Sequence, residues 1–486
     1  GRPSGRPAGA SGYRAFAMTD RADILVLGLG TCGEDAAQRL LDQGLSGIGV
    51  EDRLFGGESP YYACLPTKSV VRSANLVDGD RRAAGLVGPV SVDPDWSLVA
   101  GRLRDEVTGG WDDPGAATRF EERGGRLIRG RGAFAGPRSI RVGDATYEAT
   151  RGIVIATGST PLVPQIPGLD AVDHWTTREA LAAEELPRSL VILGGGPVGC
   201  ELAQVFTRFG VDVTIVEGAN QLLPSIEPEG AAVVTAALMA EGVKVVTGSR
   251  ASQVTSSPGG VIVGLDDGRA VGAERLLVAL GRTVDTSDLG LNEAHVSADG
   301  GFVRVDGRLR AANGIWAIGD VTGKGLLTQV ALYQSSIAVA DVLGSDPMPA
   351  DYSNMARAVF TDPEVGVAGL TESEARSAGI DVEVVTKAMG ATFRGWLHRT
   401  GNDGMVKLVA SKAEDRLVGG TVVGPHASDV AGFIGLAIRE HVPLEHLVDS
   451  IYVFPSFYGA VGEAIGAYGR GIGTVLDPGN PPLFTD

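Results

Sequence analysis

The chain of 486 residues is 44% hydrophobic and 21% charged. Its length exceeds what one hydrophobic core usually organises, so we expect about two to four domains. The formal net charge of -17 disfavours a nucleic-acid partner and a membrane surface, because both are anionic. Only three cysteines are present, which argues against a disulfide-stapled secreted fold and favours a cytoplasmic location.

The chain begins with a segment that is rich in Gly, Arg, Pro, Ser and Ala and holds no apolar stretch. It lacks the pattern of a signal peptide, and we expect residues 1–20 to be a disordered leader or an artificial remnant. Met18 is the expected native start, since the ordered pattern begins a few residues later. No apolar run approaches the roughly 20 residues that a membrane helix requires.

The first predicted dinucleotide-binding unit follows this leader. The apolar strand Ile24–Leu27 leads into Gly28, Gly30 and Gly33, spaced as GxGxxG, and then into a helix and a second strand that ends at Glu51. In such a loop the first glycine allows a tight turn, the second lets the backbone approach a pyrophosphate, and the third lets the helix pack on the strand. The positive end of the helix then stabilises the phosphate charge.

A second unit repeats this layout. The strand Leu190–Leu193 leads into Gly194, Gly196 and Gly199, a helix, and a strand that ends at Glu217. A lone GxGxxG is often only a glycine-rich turn, and this chain has 71 glycines. Because strand, helix and acid recur in both copies at the same spacing, we predict two dinucleotide sites.

The two acids carry information about the ribose of each nucleotide. Glu51 and Glu217 can each accept a hydrogen bond from a 2′-hydroxyl, whereas a 2′-phosphate would need a nearby arginine. Residues 218–226 contain no Lys or Arg, so the second site favours NADH over NADPH. Arg282 is expected close enough to leave NADPH as an alternative nucleotide.

Each copy also contains a later buried strand that ends in glycine. These strands are Ile153–Gly158, with sequence IVIATG, and Leu276–Gly281, with sequence LLVALG. Continuous apolar runs of this kind are typical of a parallel sheet that is covered on both faces. A third such strand, Ile315–Asp320, delivers the carboxylate of Asp320 onto a loop, where it is either a solvated turn residue or a ligand.

From about Asp351 the pattern changes to shorter strands mixed with helices. We predict strands at Ala356–Phe360 and Met405–Val409, and helices at Glu372–Ser377 and Asp429–His441. This part contains no glycine-rich phosphate loop. It therefore indicates a separate α+β domain that binds no nucleotide.

Five motifs follow one another in a distinctive order. They are the glycine loop at Gly28, the segment Gly56–Lys68 with sequence GGESPYYACLPTK, ATG at Ala156–Gly158, the glycine loop at Gly194, and GD at Gly319–Asp320. In this order they resemble the pyridine-nucleotide-disulfide oxidoreductases, near dihydrolipoamide dehydrogenase and mercuric reductase. The resemblance covers nearly everything after Met18.

The resemblance implies an α/β fold with two Rossmann-like dinucleotide-binding domains, one for FAD and one for NAD, plus an α+β C-terminal dimerisation domain. The FAD-binding domain would be discontinuous, with residues 21–165 and 285–345. The NAD(P)-binding domain would take residues 166–284 and the dimerisation domain residues 346–486. A homodimer is implied as well.

The resemblance also implies roles for single residues. Glu51 would hold the adenosine ribose of FAD, and Asp320 would bind the ribityl side of the flavin. Lys68 would lie near flavin N5 and pair with Glu201, although a lysine is otherwise most often a surface charge. The further cofactor contacts that we assign are Gly57, Thr157, Gly158 and Gly281.

The departures from the family pattern concern the redox chemistry. The family has two cysteines five residues apart, and alignment on the surrounding motif puts Ser59 at the first position and Cys64 at the second. The family's C-terminal His-Pro and its orienting Glu fall on Phe454, Pro455 and Gly459. Because dithiol exchange needs two thiols and a proton carrier, we expect no reduction of lipoamide, glutathione or similar disulfides.

Cys64 remains at the position that the resemblance gives as closest to the flavin. The start of a helix and Lys68 would both stabilise a thiolate there, so Cys64 could make a charge-transfer contact with the flavin or an adduct to it. A buried and inert cysteine is the equal alternative. Cys32 and Cys200, inside the glycine loops, are expected to be packing residues.

Aromatic residues are expected near the flavin face and the partner's C-terminal segment: Tyr61, Tyr62, Phe454, Phe457 and Tyr458. Such surfaces suit a flat, apolar acceptor such as a quinone. Tyr458 is the proposed proton donor, with Glu463 as a second candidate; a structural hydrogen bond and an ordinary surface charge are the alternatives. None of the six histidines has metal-ligand spacing, and we predict no metal site.

These observations predict an FAD-dependent NAD(P)H oxidoreductase. It would pass a hydride from NADH through the flavin to a small non-disulfide acceptor, such as a quinone or a biosynthetic intermediate. Two alternatives stay open: a flavoprotein reductase that works through the single thiol or sulfenate of Cys64, and a non-catalytic protein that binds FAD and NAD. The intact glycine loops, together with Lys68 and Glu201, favour an enzyme.

Overall fold

The computed structural model describes residues 20–468 and 474–475. The predicted leader lies outside these residues except for Asp20, which is the first residue of the strand Asp20–Leu27. Residues 469–473 and 476–486 of the predicted dimerisation domain also lie outside them. Among the described helices, none combines the length and the apolar character that a bilayer-spanning helix needs.

The first dinucleotide unit belongs to an eight-stranded sheet with a parallel core. The strand Asp20–Leu27 lies inside the sheet, and its second half is apolar on both faces; Ile24, Leu25 and Val26 are at most 1% exposed. In spatial order the sheet contains Arg310–Ala312, Ile315–Ala317, Ala145–Ile155, Asp20–Leu27, Gly47–Glu51 and Gly125–Arg129, and the hairpin of Gly132–Gly136 and Ser139–Val142 pairs with Ala145–Ile155. This one sheet thus contains strands that precede the second unit in the chain and strands that follow it.

The carboxyl ends of three strands meet at one edge of this sheet. Leu27 pairs with Val50 on one side and with Ile155 on the other. This register brings together the residues that follow each strand end, among them Gly28 and Glu51. Open α/β sheets bind their ligands outside this edge.

A four-stranded parallel sheet repeats the arrangement in the middle of the chain. Its spatial order is Lys244–Thr247, Asp212–Glu217, Ser189–Leu193 and Arg275–Val278. Leu193 pairs with Val216 and Val278, which is the same register as that of Leu27 in the first sheet. A three-stranded antiparallel sheet packs against it and consists of Ala251–Ser257, Gly260–Leu265 and Ala270–Ala273.

The C-terminal part forms a separate six-stranded sheet, largely antiparallel, with the order Arg357–Val359, Val365–Gly369, Arg416–Val423, Met405–Ser411, Val382–Ala388 and Thr474–Val475. The predicted helix Glu372–Ser377 is confirmed with these bounds. The helix predicted at Asp429–His441 instead runs from Ala427 to Arg439, because His441 has a positive φ of 50° that no right-handed helix contains.

The other α-helices connect or cover the strands. They are Thr31–Asp42, Glu58–Tyr61, Cys64–Ala83, Trp96–Arg102, Pro114–Glu122, Thr177–Ala182, Pro197–Arg208, Pro228–Ala240, Thr328–Val342, Phe393–His398, Leu444–Val448 and Gly459–Ile465. The predicted fold class, with two Rossmann-like units and an α+β C-terminal part, is confirmed. The residue boundaries of the domains stay predictions.

The three parts of the chain share one hydrophobic cluster, to which Val70, Phe206 and Val359 each contribute. A buried charge network lies beside it. The guanidinium of Arg208 is fully buried and lies 2.7 Å from Glu241 in the second unit, 3.3 Å from Asp362 in the C-terminal part and 3.6 Å from Asp78 in the first unit. This arginine therefore connects all three parts of the fold.

Candidate active site

The two glycine loops have the same geometry. A Cβ atom on Gly28 would lie 2.5 Å from the carbonyl oxygen of Ala156, and one on Gly33 would lie 2.0 Å from the carbonyl oxygen of Gly28. In the second loop the corresponding distances are 2.3 Å at Gly194 and 1.9 Å at Gly199. Only glycine fits at these four positions, because the helix packs directly on the preceding strand.

The middle glycine of each loop instead faces open space. A Cβ atom on Gly30 would meet only the Cα of Gly57, at 3.9 Å, and one on Gly196 would meet nothing within 4 Å. Each of these glycines directly precedes a helix, Thr31–Asp42 and Pro197–Arg208. The space in front of two free helix N-termini fits two pyrophosphate groups.

The acids that end the second strand of each unit are held in the same way. The carboxylate of Glu51 accepts the N–H of Leu29 at 2.7 Å and that of Arg53 at 2.9 Å. The carboxylate of Glu217 accepts the corresponding N–H groups, those of Gly195 at 2.6 Å and Ala219 at 2.7 Å. Burial raises the pKa of Glu51, although both backbone hydrogen bonds oppose this shift. Both acids are thus oriented at the edge where a nucleotide ribose would lie.

Two residues of the first unit and one of the second leave polar atoms or open space for a further ligand. The hydroxyl of Thr157 is buried without a hydrogen-bond partner in the described part of the chain. A Cβ atom on Gly158, or on Gly281 at the end of the corresponding strand of the second unit, would meet no atom within 4 Å. These positions fit the cofactor contacts that the sequence analysis assigned to them.

Asp320 and Arg282 lie together beside Ser159. Asp320 accepts the Ser159 hydroxyl at 2.5 Å, and the Arg282 guanidinium donates to the same hydroxyl at 2.6 Å. The carboxylates within 4.0 Å of Arg282 in the described structure are those of Asp320 and Glu58. These partners of Arg282 belong to the first unit, and its expected closeness to the second nucleotide stays a prediction.

The single thiol of the motif contacts a hydroxyl that the sequence analysis missed. Cys64 is the first residue of the helix Cys64–Ala83, and its sulfur lies 3.2 Å from the hydroxyl of Thr328. The hydroxyl of Ser59 contacts the same oxygen at 3.3 Å. Thr328 therefore joins the two positions at which the family pattern has cysteines. Its only signal in the sequence is its place a few residues after the Gly-Asp motif.

The ion pair that the resemblance implied between Lys68 and Glu201 is present. The ammonium of Lys68 lies 2.8 Å from one carboxylate oxygen of Glu201, and the N–H of Phe360 donates to the other at 2.9 Å. Glu201 is 2% exposed, and the Lys68 ammonium lies 4.7 Å from the centre of the Phe360 ring. Because Lys68 follows Cys64 by four residues in one helix, both lie on the same helix face.

The aromatic residues proposed for an acceptor site differ in their burial within one chain. Tyr61 and Phe457 are 7% and 5% exposed and belong to the interior, which corrects their assignment to an open surface. Tyr458 packs edge-on against Phe433, with ring centres 4.8 Å apart. Phe454, in contrast, is 69% exposed.

Two other candidates have structural partners. Glu463 lies 2.8 Å from the ammonium of Lys387, so this acid is bound in an ion pair rather than free to donate a proton. Cys32 and Cys200 are buried, as predicted, and burial raises the pKa of the Cys32 thiol to about 12. Burial raises the pKa of Cys200 as well. Cys64 is therefore the candidate for thiol chemistry.

Comparisons with known proteins agree with this geometry. A family model described as pyridine nucleotide-disulphide oxidoreductase matches residues 22–335, and the dimerisation domain of the same family matches residues 355–465. A dihydrolipoyl dehydrogenase of Chlorobaculum tepidum is 33% identical over 466 residues, which cover 93% of this chain and 98% of that protein. A dihydrolipoyl dehydrogenase of Bacillus subtilis is 31% identical over 480 residues, covering 94% and 100%.

Solved structures agree as well. The HOCl-induced flavoprotein disulfide reductase RclA from Escherichia coli aligns with a TM-score of 0.81 and 26% identity, covering 92% of this chain and 100% of that one. LpdA from Mycobacterium tuberculosis aligns with a TM-score of 0.80 and 26% identity, covering 92% and 99%. The chain therefore belongs to the pyridine nucleotide-disulphide oxidoreductases, flavoproteins that bind FAD and NAD(P)H, and it carries the dimerisation domain of that family.

Proposed function

We propose that this protein is an FAD-dependent NAD(P)H oxidoreductase that passes electrons to a small non-disulfide acceptor such as a quinone. One observation carries the proposal: the Thr328 hydroxyl contacts the thiol of Cys64 on one side and the hydroxyl of Ser59 on the other. The oxygen of Ser59 thus occupies the position at which a disulfide with Cys64 would need the second sulfur. All three cysteines of the chain are free.

The chemistry of disulfide reduction supports this choice of acceptor. Thiol exchange needs two sulfurs that alternate between dithiol and disulfide, and a group that carries the proton. The oxygen of Ser59 forms no disulfide with Cys64. Phe454 and Gly459 stand where the resemblance expects His and Glu, and neither side chain has a proton to exchange.

The residues of this chain bind and orient the cofactors. FAD, when bound, supplies the electron-transfer chemistry that no side chain here supplies. The helix N-termini after Gly30 and Gly196 would hold the pyrophosphates, and Glu51 and Glu217 would accept hydrogen bonds from the riboses. Lys68 pairs with the buried carboxylate of Glu201 and places a positive charge one helical turn after Cys64. This charge would stabilise negative charge that develops near the thiol.

An exposed apolar segment supports a homodimer that completes the site. Ile451, Val453 and Phe454 are 97%, 69% and 69% exposed. Neighbouring large apolar side chains on the surface of a chain with a dimerisation domain indicate a face that a second copy covers. We infer that Tyr458, just beyond this segment, serves the acceptor side of the partner as a proton donor.

Steady-state turnover with a panel of acceptors tests the proposal. The purified FAD-loaded protein receives NADH together with quinones, redox dyes, lipoamide or glutathione disulfide. We expect turnover with quinones or dyes well above the oxygen background and none with the disulfides. Comparable turnover of a disulfide contradicts the proposal. No turnover with any acceptor supports a protein that binds FAD and NAD without catalysis.

A second candidate function uses Cys64 as a working thiol. It is favoured by the 3.2 Å contact between its sulfur and the Thr328 hydroxyl, a group that can donate a hydrogen bond to the sulfur. The Cys64→Ser variant separates the two functions, with Ser59→Ala as the matched control at the neighbouring position. Quinone turnover that survives in Cys64→Ser excludes an obligatory thiol, whereas complete loss with FAD retained supports it.

A further inference from the structure

An arginine from outside the second glycine loop lies at the ribose end of that site. The chain segment that ends at Arg250 runs beside the end of the strand Asp212–Glu217. The N–H of Gly248 donates to the carbonyl of Ala219 at 2.8 Å, and the N–H of Ser249 donates to the carbonyl of Glu217 at 3.3 Å. These hydrogen bonds bring Arg250 next to Glu217 and Gly218.

The side chain of Arg250 lies across Gly218. A Cβ atom on Gly218 would be 2.8 Å from both the Cγ and the Nε atoms of Arg250, so a larger residue at position 218 would displace the arginine. Two hydrogen bonds to Asp266 fix the backbone of Arg250. The Arg250 N–H donates to the Asp266 carboxylate at 3.0 Å, and the Asp266 N–H donates to the Arg250 carbonyl at 2.9 Å. The fixed main chain therefore determines the position from which the Arg250 side chain extends.

The guanidinium of Arg250 is available to a ligand. The residue is exposed. Ion pairs on the surrounding strands use Lys244, Arg269 and Arg275 instead, and in the part of the chain that the structure describes none within 4.0 Å involves Arg250. A planar guanidinium with free donors is suited to binding a phosphate.

We propose that Arg250 forms a 2′-phosphate subsite, so that the second nucleotide site binds NADPH as well as NADH. Glu217 accepts hydrogen bonds from the 2′-hydroxyl of NADH, and Arg250 offsets the repulsion between Glu217 and the 2′-phosphate of NADPH. Residues 218–226, directly after the acid, contain no Lys or Arg. Arg250 follows a later strand, Lys244–Thr247, and is near only in the folded chain.

Nucleotide fragments that lack the nicotinamide test this subsite by binding alone. Isothermal titration calorimetry on the FAD-loaded protein gives the dissociation constants of ADP-ribose and of 2′-phospho-ADP-ribose. For the wild type we expect constants within roughly 10-fold of each other. The quantity compared is the dissociation constant of 2′-phospho-ADP-ribose divided by that of ADP-ribose. In Arg250→Ala this ratio rises by about 10-fold, because the charge-assisted hydrogen bonds to the phosphate are lost.

Arg188→Ala is the matched control. Arg188 is an exposed arginine of the same unit, paired with Glu274 at 3.2 Å, and it precedes the strand Ser189–Leu193, at the edge opposite the glycine loop. The ratio stays at the wild-type value in this variant. In Arg250→Lys, which keeps the charge, the rise is smaller than in Arg250→Ala. Added salt raises the wild-type ratio, because an exposed charge contact is screened.

Two outcomes overturn the inference. In one, the wild type binds ADP-ribose but shows no binding of the phosphorylated fragment. In the other, Arg250→Ala weakens both fragments equally, which indicates that the guanidinium stacks on the adenine instead. Because no electron acceptor takes part, these results are independent of the acceptor proposed above.

Discussion

At the scale of single residues, the hydroxyl of Thr328 determines the surroundings of the thiol. It contacts the sulfur of Cys64 and the oxygen of Ser59 within 3.3 Å. A thiolate at the start of a helix gains from the helix end and from each hydrogen bond that it accepts. The reactivity of Cys64 should therefore depend on a residue 264 positions later in the chain.

Replacing Thr328 with Val removes this hydroxyl and nearly keeps the volume of the side chain. We expect alkylation of Cys64 by iodoacetamide at about pH 7 to slow by roughly 10-fold, since a hydrogen bond to a charged group contributes about 1.5 kcal/mol. Mass spectrometry of the labelled peptide measures the rate. Thr328→Ser, which keeps the hydroxyl, is the control, and equal rates in all three proteins would contradict the assignment.

Replacing Lys68 with Met leaves the carboxylate of Glu201 buried without its ion-pair partner. The Lys68 side chain is 37% exposed, so solvent screening reduces the loss. We expect the free energy of unfolding in urea to fall by about 2 kcal/mol. Adding Glu201→Gln should recover part of this loss because it removes the buried charge. A double variant no more stable than Lys68→Met would count against the pair.

Residues with a local sequence signal could be predicted, and residues with only a spatial one could not. The glycines and the acids Glu51 and Glu217 follow from spacing within one strand-helix-strand unit. Thr328 and Arg250 carry no motif, because their partners lie on other elements and only the fold brings them together.

At the scale of elements, the buried strands were predictable because continuous apolar runs between glycines are typical of parallel sheets. Their order in the sheet was not, since the pairing of Ile315–Ala317 with Ala145–Ile155 joins distant segments. The helix Thr328–Val342, which carries Thr328, is fixed at its other end by Asp341. That carboxylate accepts hydrogen bonds from Arg310 at 2.6 Å and from Trp316 at 2.8 Å.

The Asp341 contacts predict a pH dependence of stability. Burial raises the pKa of Asp341, but the hydrogen bonds from Arg310 and Trp316 outweigh it and hold the pKa below the usual 3.8. A carboxylate whose pKa is lower in the folded than in the unfolded state stabilises the protein at pH values above the unfolded-state pKa. This stabilisation is lost as the pH falls through the folded-state pKa. We expect Asp341→Asn to cost about 2 kcal/mol at neutral pH.

Denaturant unfolding of both proteins at several pH values checks this prediction. The difference between wild type and Asp341→Asn should stay constant down to about pH 5 and shrink as the pH falls towards and below 4. A difference that grows on acidification would contradict the direction of the shift.

At the scale of the whole molecule, the two nucleotide units and the C-terminal part meet at the buried guanidinium of Arg208. Arg208→Met would leave Glu241, Asp362 and Asp78 without this shared cation. We expect the free energy of unfolding to fall by about 3 kcal/mol, as when one partner of a buried ion pair is removed.

Arg188→Met is the matched control, because Arg188 forms an exposed ion pair with Glu274, and such pairs contribute about 0 to 1 kcal/mol. Denaturant unfolding followed by flavin release and by circular dichroism measures both variants. Equal losses in the two variants would show that Arg208 does not hold the three parts together.

The central claim is that electrons from the nicotinamide nucleotide reach a flavin that has one thiol beside it and no disulfide. Anaerobic titration of the FAD-loaded protein with NADH, followed by flavin absorbance, tests this claim most directly. The account predicts complete bleaching by about one equivalent of NADH per FAD, because no disulfide takes up a second electron pair. Bleaching that requires about two equivalents, or an absorbance that NADH leaves unchanged, would contradict it.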